Sequence, residues 1–284
     1  AHKKNLRMAK GAERLGIGHR PIARNVSGCI GSGRCLQGCP HGAKLSMDRS
    51  YLPEAQKLGA RVVSGAKVAR ILHDSRGAYG VRGMLLSGER FEALAARITP
   101  CAARAIGTPL LLLESGLRAG PVGEYFSAHP GLSMTALFDE PIEPQRGATQ
   151  GHEVYGFLEE RIKLEVLGFD LGLILSRLPG HGRTLAENLR RLDHYAIYGA
   201  ALRAHAKGRV RSRGGRAEVR YSLEPRDLAS ARRAVRRLGE LFFAAGALRV
   251  HAPSAEPQLI ERDEADRLDE RIHARHFRAG KVSV

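Results

Sequence analysis

The clearest hydrophobic periodicity in the chain lies between Pro225 and Gly246. Apolar side chains recur there at three- and four-residue steps, at Leu228, Ala231, Val235, Leu238, Leu241, Phe242 and Ala245. This spacing places them on one face of a helix, and glycine is a typical residue after a helix end. The pattern therefore predicts an amphipathic helix over 225–245, whose arginine-rich opposite face is solvated.

Shorter patterns predict alternating helices and strands in the first half of the chain. We expect helices over 50–58 and 110–113, the second capped by Thr108 with Pro109 at its first position. Strands are predicted at 62–63, 68–72 and 79–86, where apolar runs are bounded by glycines. From residue 129 onward, strand-like stretches are separated by proline and glycine. We therefore place a domain boundary there, which gives domains 1–128 and 129–284.

Two further elements are predicted in the second half. The stretches 196–210 and 217–223 flank Arg213-Gly-Gly-Arg216, and paired glycines supply the positive φ angles of a tight hairpin turn. The segment 261–277 is acidic first and basic afterwards, which suits a helix dipole and predicts a second helix. The expected fold class is α/β (α+β).

Composition and charge exclude several functions. The chain has 284 residues, of which 43% are hydrophobic and 26% charged, as in globular proteins. It contains no run of eighteen apolar residues, so no membrane span is expected. The net charge is +17, but arginines are spread along the chain, Trp is absent and aromatic residues make up only 5%. Stacking platforms for bases are therefore scarce, and no specific nucleic-acid partner is expected.

Three cysteines lie in a glycine-rich segment from residue 29 to residue 44. Cys29, Cys35 and Cys39 are spaced C-x5-C-x3-C, and the segment also contains four glycines and Pro40. Such a composition predicts a fixed loop rather than a helix or strand. The spacing does not fit a structural zinc site, which usually needs four ligands in paired C-x2-C steps.

The thiols of this loop leave several interpretations open. Three close thiolates followed by Cys-Pro are compatible with an iron–sulfur cluster. A disulfide would need an oxidising compartment, and no signal peptide is visible at the start of the sequence, so we expect a cytoplasmic protein. The favoured interpretation is that the cysteines are small buried fillers of a tight loop without a metal.

The segments 25–44, 51–55, 59–63 and 68–71 together resemble the glucose–methanol–choline (GMC) family of flavin-dependent alcohol oxidoreductases. Further landmarks follow in that family's order, at 105–116, 128–130, 178–180 and 243–247. The cysteine segment is most similar to the branch that includes long-chain alcohol oxidases. Five short motifs in register seldom mislead, although a single one often does.

The resemblance implies a partial FAD-binding domain followed by an antiparallel-sheet substrate domain backed by helices. It implies that FAD oxidises the CH–OH group of a small-molecule alcohol by accepting a hydride, with a long-chain or sterol-like alcohol as one option. It also implies which residues approach the cofactor: main-chain groups near Val68 at the adenine, and Ala102, Ala103, Ile106 and Thr108 in the segment that runs close to the dinucleotide.

Some parts that such an enzyme needs are not visible in the sequence. No G-x-G-x-x-G turn lies between a strand and a helix; Gly28–Gly33 lacks both flanking elements. The family's catalytic histidine segment would follow Val284. We therefore expect a central portion that is inactive alone, with flanking segments that are encoded separately. The alternatives are a non-catalytic remnant or partner subunit, and an iron–sulfur electron-transfer module.

Local departures from the family pattern bear on flavin binding. Pro100 follows Thr99 where a strand is usual, and Arg104 replaces a glycine where backbone approaches closely. None of the histidines has neighbours that suggest a triad or a metal site, so we assign no catalytic residue; those considered are His41, His129, His152, His181, His194 and His276. The strands around Val62, Val68 and Val81 should present an uncovered apolar face.

Overall fold

The computed structural model describes residues 2–97, 100–169, 171–175, 178, 180–253, 258–273 and 277. Its helices are α1 (Lys3–Arg14), α2 (Tyr51–Lys57), α3 (Arg104–Glu114), α4 (Leu171–Leu175), α5 (Gly182–Arg190), α6 (Pro225–Ala244) and α7 (Leu268–Arg271). Its strands are β1 (His19–Pro21), β2 (Ala66–Asp74), β3 (Gly77–Leu85), β4 (Arg90–Leu94), β5 (Gly131–Leu137), β6 (His152–Val154), β7 (Ile162–Leu167), β8 (Tyr195–Leu202), β9 (Arg209–Arg213), β10 (Arg216–Arg220), β11 (Arg249–Ala252) and β12 (Gln258–Glu261). Within the described ranges, no helix is long and apolar enough to cross a membrane.

The chain divides into two compact units. Unit 1 comprises Ala1–Pro53, His129–His205 and Leu223–Val284, and unit 2 comprises Glu54–Ala128 and Ala206–Ser222. Residue 129, where we placed a domain boundary, begins the second segment of unit 1. The first 53 residues, including the cysteine loop, belong to the same unit as most of the second half of the chain.

Unit 1 is built on a seven-stranded antiparallel sheet in the order β1-β6-β7-β8-β5-β11-β12. Val166, Tyr198 and Met134 pair across three neighbouring strands and are fully buried, because they point to the face covered by α1 and α6. The Tyr198 ring stacks on Phe242 of α6 with centroids 4.0 Å apart. Burial of aromatic and aliphatic groups on this face stabilises the unit.

Helix α1 lies very close to α6, because glycine occupies the point of contact. A Cβ atom on Gly11 would lie 2.7 Å from the carbonyl oxygen of Leu241 and 3.1 Å from the Cβ of Ala245. Any larger residue at position 11 would force the helices apart. The start of α1 is thereby fixed against the sheet, where the Tyr198 hydroxyl donates to the Lys4 carbonyl oxygen at 3.2 Å.

Unit 2 combines a three-stranded sheet, β2-β3-β4, with the hairpin β9-β10 and helix α3. Ser115, just after α3, links the helix to the sheet: its hydroxyl accepts the Ile71 N–H at 2.8 Å and donates to the Leu111 carbonyl oxygen at 2.6 Å. Few described side chains of this unit are buried. Several large apolar residues are exposed instead, including Leu58, Val62, Leu86 and Leu94.

The structure confirms the mixed fold class with antiparallel sheets and several of the predicted elements. Helix α6 ends one residue before the predicted limit, and α2 lies within 50–58. Strands β2 and β3 contain the predicted 68–72 and most of 79–86. The hairpin β9-β10 turns at Gly214 and Gly215, whose φ angles are 58° and 75°. Val62 is exposed as predicted, whereas Val68 and Val81 are half-buried.

Other predicted elements are wrong. Residues 62–63 form no strand, because they have no partner strand to hydrogen-bond. Helix α3 begins at Arg104 rather than after Thr108, and Pro109 lies inside it. In place of a helix over 261–277, a 3₁₀ helix (Arg262–Arg267) is followed by the short α7. Thr99, Pro179 and residues 274–276 of that predicted helix, which include His276, lie outside the described residues.

Candidate functional site

The cysteine loop of unit 1, residues 25–45, is fixed by backbone pairing at its two ends. The Leu45 N–H donates to the Asn25 carbonyl oxygen at 3.0 Å, and the Asn25 side-chain amide donates back to the Leu45 carbonyl oxygen at 2.6 Å. The loop also meets the segment 145–147. The Gly147 N–H donates to the Gly31 carbonyl oxygen at 2.8 Å, and a Cβ on Gly33 would lie 1.9 Å from the Gln145 carbonyl oxygen. Glycine at position 33 is therefore required by close backbone approach.

The three thiols of the loop line one small cavity together with His41, but none of them is buried. Cys29 is exposed, whereas Cys35 and Cys39 are half-buried, and all are free thiols. The expectation that they are buried fillers is therefore wrong. The cavity measures about 20 Å³, room for about one water molecule. Among the described residues, no three His, Cys, Asp or Glu side chains are grouped so that they could hold a metal ion.

Cys39 lies in a turn whose backbone N–H groups favour its ionised form. Hydrogen bonds from the N–H of Lys44, and then from that of His41, lower the pKa of the Cys39 thiol. Gly38 and Gly42 both adopt positive φ angles, which allow the chain to curl around the sulfur. The thiolate is the form that acts as a nucleophile or binds a metal, so Cys39 is chemically the most significant of the three.

A buried lysine lies beside this loop. Lys4 of α1 is fully buried, and its ammonium group donates to the Pro144 carbonyl oxygen at 2.7 Å. Burial lowers the pKa of Lys4 to about 8, and the neighbouring Cys35 acts in the opposite direction. The structure thus places a titratable amine in the core beside the cysteine loop, where it cannot reach solvent.

A larger cavity of about 620 Å³ opens at the start of α1, and we call it the α1 cavity. Its walls come from α1, from the end of β1, from the cysteine loop and from the segment 143–151, all in unit 1. Polar side chains on these walls are His2, Asn5, Arg24, Cys29, Glu143 and Arg146. This volume lies within the range of ligand-binding pockets.

The charges of the α1 cavity are only partly paired. Glu143 lies 3.1 Å from the guanidinium group of Arg146 and 3.9 Å from the ammonium group of Lys3. Burial, followed by the charge of Lys4, lowers the pKa of His2, so that its ring is neutral near pH 7. Arg24 donates to the sulfur of Cys29 at 4.0 Å and has no carboxylate within ion-pair distance among the described residues.

The residues expected to approach FAD all lie in unit 2. Val68 pairs with Gly83 in the β2-β3 ladder and is half-buried. Ala102 and Ala103 precede α3, whereas Ile106 and Thr108 lie in its first turns. Arg104 begins this helix with a φ angle of +66°, a left-handed conformation that suits glycine. The expected glycine preference of position 104 is thereby explained.

Sequence reasoning missed the residues of the α1 cavity other than Cys29. It also missed the pairing of His152 with His19 in the same unit. The ring nitrogens His19 Nδ1 and His152 Nε2 are 2.9 Å apart, because β1 and β6 are neighbours in the sheet. Asn5 is buried because its amide lies against Gly151, 146 positions away. No local pattern could have identified these contacts, since both depend on long-range pairing.

Comparisons with known proteins agree with the resemblance. Residues 1–131 match the family model described as GMC oxidoreductase. An uncharacterized GMC-type oxidoreductase of Mycobacterium tuberculosis is 37% identical over 254 residues, covering 88% of this chain and 40% of that protein. A long-chain-alcohol oxidase of Arabidopsis thaliana is 25% identical, covering 90% of this chain and 37% of its own length. The chain thus spans well under half the length of these relatives.

The fold is also similar to that of a solved structure. A formate oxidase of Aspergillus oryzae, studied for modification of its FAD, matches with a TM-score of 0.64 over 98% of this chain and 59% of its own. The sequence identity is 13%, so this likeness concerns the fold alone. Because its first 131 residues match the family model and its relatives align with most of its length, the chain belongs to the GMC oxidoreductase family.

Proposed function

We propose that the chain forms the central part of an FAD-dependent oxidoreductase that acts on the CH–OH group of an alcohol. The observation that supports this most is the alignment of 90% of the chain with a long-chain-alcohol oxidase. The fold it shares with a formate oxidase is consistent with the proposal. When bound, FAD would accept a hydride from the alcohol carbon.

The residues of unit 2 fit one edge of a bound dinucleotide. The first turn of α3 contains no acidic residue, and the alanines before it are exposed. The N–H groups at a helix start have no partner within the helix and favour an anion. Ala102, Ala103, Ile106 and Thr108 would border the cofactor there, with Val68 contributing main-chain groups. Arg104 adds a positive charge near the cofactor. Its side chain also occupies space that a glycine at this position would leave free.

We further propose that flanking segments complete the flavin site and supply the catalytic base, so that this chain alone is inactive. The exposed apolar side chains of unit 2 support this, because such surfaces are usually covered. No catalytic residue is assigned to residues 1–284. The partners expected are a small-molecule alcohol and these segments, and the cytoplasm is the proposed location, since all four cysteines are free thiols.

Reconstitution with FAD tests the proposal. The isolated chain and the chain joined to flanking segments from its own gene neighbourhood would be purified with FAD and compared by visible absorbance. Only the joined protein should retain stoichiometric flavin and reduce it when a primary alcohol is added anaerobically. Flavin retained by the isolated chain, or a joined protein that no alcohol reduces, would contradict the proposal. A tagged full-length protein found outside the cytoplasm would overturn the proposed location.

A second candidate function is electron transfer by an iron–sulfur cluster held by Cys29, Cys35 and Cys39. It is favoured by the three thiols that line one cavity and by the N–H groups that stabilise the Cys39 thiolate. Thiols are the usual ligands of such a cluster, but among the described residues these three are not grouped to hold a metal ion, and the cavity of about 20 Å³ is too small for a cluster. We therefore derive no reaction step through it. Analysis of iron and acid-labile sulfide after anaerobic purification distinguishes this candidate from a loop without metal.

A further inference from the structure

The outer edge of strand β10 in unit 2 has no backbone partner among the described residues. β9 is paired on both sides: β10 lies on one side, and on the other the Val210 N–H donates to the Gly123 carbonyl oxygen at 2.7 Å. In the part of the chain that the structure describes, β10 pairs with β9 alone. Val219 lies opposite Val210, so it also turns its backbone groups away from the other strand, as does Ala217 two residues before it. These two residues offer N–H and C=O groups to a further strand.

The register of the hairpin gives it an apolar face and an arginine face. Opposite residues share a face and successive residues alternate between faces, so Val210 and Val219 lie together on the apolar face. Helix α3 packs against this hairpin, and Ser212 donates to Glu114 of that helix. Val210 is 2% exposed, whereas Val219 is 39% exposed. The β10 half of the apolar face is therefore left partly open beside the free edge.

The arginine face has more positive charge than its neighbours compensate. Two of its arginines are ion-paired: Arg209 with Glu124 at 2.7 Å, and Arg220 with Glu218 at 2.6 Å. The other three are exposed, and no carboxylate of the described residues lies within ion-pair distance of them: Arg211, Arg213 and Arg216. Five guanidinium groups against two carboxylates leave an excess of three positive charges beside the free edge.

The charge and the free edge together select the kind of partner. A second copy of β10 is unsuitable, because antiparallel pairing would place arginines beside arginines. A nucleic acid would match the positive charge, but it would leave the outward backbone groups of Ala217 and Val219 and the open apolar half unmatched. An extended peptide segment complements all three features when carboxylates and apolar side chains alternate along it.

We propose that β10 is a docking edge for an extended segment of a partner protein in which acidic and apolar residues alternate. The segment adds a strand to the hairpin: its backbone pairs with Ala217 and Val219, and its apolar side chains extend the open half of the apolar face. Its carboxylates lie beside Arg216 on the arginine face. Neighbouring strands are about 4.8 Å apart, so the long side chains of Arg211 and Arg213 also reach toward these carboxylates. The proposal does not depend on flavin binding, because no cofactor takes part in the docking.

Fluorescently labelled peptides of about seven residues test this edge on the protein joined to its flanking segments. One peptide alternates valine and glutamate, a second has the same composition with the two residue types in separate blocks, and a third alternates valine and lysine. Fluorescence anisotropy at low ionic strength should show the alternating acidic peptide binding about tenfold tighter than either of the others. Equal binding of the blocked peptide would overturn the proposal. Absence of binding would overturn it too, and would show that the arginines only protect the edge from pairing. A short DNA duplex that binds tighter than the alternating acidic peptide would assign the face to nucleic acid instead.

Two triple variants with the same change in net charge test the role of the arginines. The variant Arg211→Gln, Arg213→Gln, Arg216→Gln should weaken binding of the alternating acidic peptide about tenfold, because it removes the unpaired cations. The control variant Arg61→Gln, Arg90→Gln, Arg183→Gln loses the same charge at exposed positions outside the hairpin and should bind as the wild type does. An equal loss in both variants would indicate unspecific charge attraction and refute the proposal.

A proline tests the backbone pairing. Val219→Pro removes one outward N–H without removing a bond to β9, and it should weaken binding about tenfold. Val219→Thr is the matched control, because it keeps the N–H and the branched side chain. The alternating acidic peptide with N-methyl groups on alternate amides tests the same bonds from the other side, on the unaltered protein, and should not bind. Wild-type affinity for the N-methylated peptide, or in Val219→Pro, would contradict strand addition and overturn the proposal.

Discussion

At the scale of single residues, the structure's main departures from sequence expectation are buried polar groups. Helix α1 buries Lys4, Asn5, Met8, Gly11 and Ala12. These positions have helical spacing, but only Met8 and Ala12 have hydrophobic side chains. A reading of hydrophobic periodicity therefore finds no helix over 3–14. The burial arises from contacts with α6 and with the segment 144–151, which no local pattern contains.

Lys4 should make stability depend on pH in the alkaline range. Its pKa is lowered from 10.5 to about 8 in the folded chain, so between these values the unfolded chain binds more protons. Stability should therefore rise as the pH increases from about 8 to about 10.5, by up to about 3 kcal/mol. Lys4→Met should lack this rise, whereas Lys10→Met, at an exposed position, should keep it. Urea unfolding across this pH range measures both; identical slopes would contradict the prediction.

The pair His19 and His152 should weaken the fold in acid. Burial, followed by the neighbouring His19, lowers the pKa of His152 below 6.5. The 2.9 Å contact needs one nitrogen to donate and the other to accept, which fails once both rings are protonated. The stability contributed by the neutral pair is complete above pH 6.5 and is lost as the pH falls through the lowered pKa.

Thermal melts between pH 7.5 and 5 test this dependence. The groups that face the pair are Glu13, Glu153 and Arg20, and the two carboxylates moderate the effect. His19→Gln should reduce the acid loss of melting temperature, whereas the exposed His181→Gln should reproduce the wild-type curve. An unchanged curve for His19→Gln would show that the pair does not titrate as described.

At the scale of elements, prediction succeeded where local chemistry alone fixes the structure. Helix α6 follows from its apolar stripe, and the β9-β10 turn follows from Gly214 and Gly215. It failed at the start of α3, because a threonine before a proline indicated a cap that the chain does not use. The helix instead begins at Arg104, five residues before Pro109, and Arg104 takes a left-handed conformation. Residues 62–63 have the composition of a strand but form none, because no partner strand lies beside them among the described residues.

The start of α3 should become more stable when glycine replaces arginine. Arg104→Gly removes the strain of a φ angle of +66°, which we expect to raise the free energy of unfolding by about 1 kcal/mol. Arg104→Ala is the matched control, because it removes the same charge but keeps a Cβ atom. Chemical denaturation should rank glycine above alanine. If alanine equals glycine, the charge and not the backbone is responsible.

The cysteine loop should tolerate the loss of a thiol at small cost if it holds no metal. Cys35→Ser replaces a half-buried sulfur in a loop already fixed by its glycines and backbone pairing. We expect a loss of about 1 kcal/mol in the free energy of unfolding. Cys101→Ser, in unit 2, is the control. Iron and acid-labile sulfide should be absent from both wild type and variant after anaerobic purification; their presence in the wild type and loss in Cys35→Ser would establish the cluster instead.

At the scale of the whole molecule, the two units differ in how much of their apolar surface is buried. Unit 1 has a sheet whose inner face is closed by α1 and α6, and fully buried residues occur on most of its central strands. Unit 2 has a three-stranded sheet on which Ile71 is among the few buried side chains. The motifs of the family were readable from the sequence, because they are local. The assignment of residues 1–53 to unit 1 was not, because it depends on the pairing of β1 with β6.

The exposed apolar residues of unit 2 should make the isolated chain prone to aggregation. Leu58 is 89% exposed and Leu86 is 92% exposed, and surfaces of this kind associate with one another or with a partner. The chain alone should bind a hydrophobic dye such as ANS strongly. Leu58→Gln with Leu86→Gln should reduce this fluorescence, whereas exposed polar substitutions such as Arg183→Gln should not. Joining the flanking segments should remove it and sharpen the melt. A monodisperse isolated chain with a cooperative melt and no dye binding would show that unit 2 needs no cover.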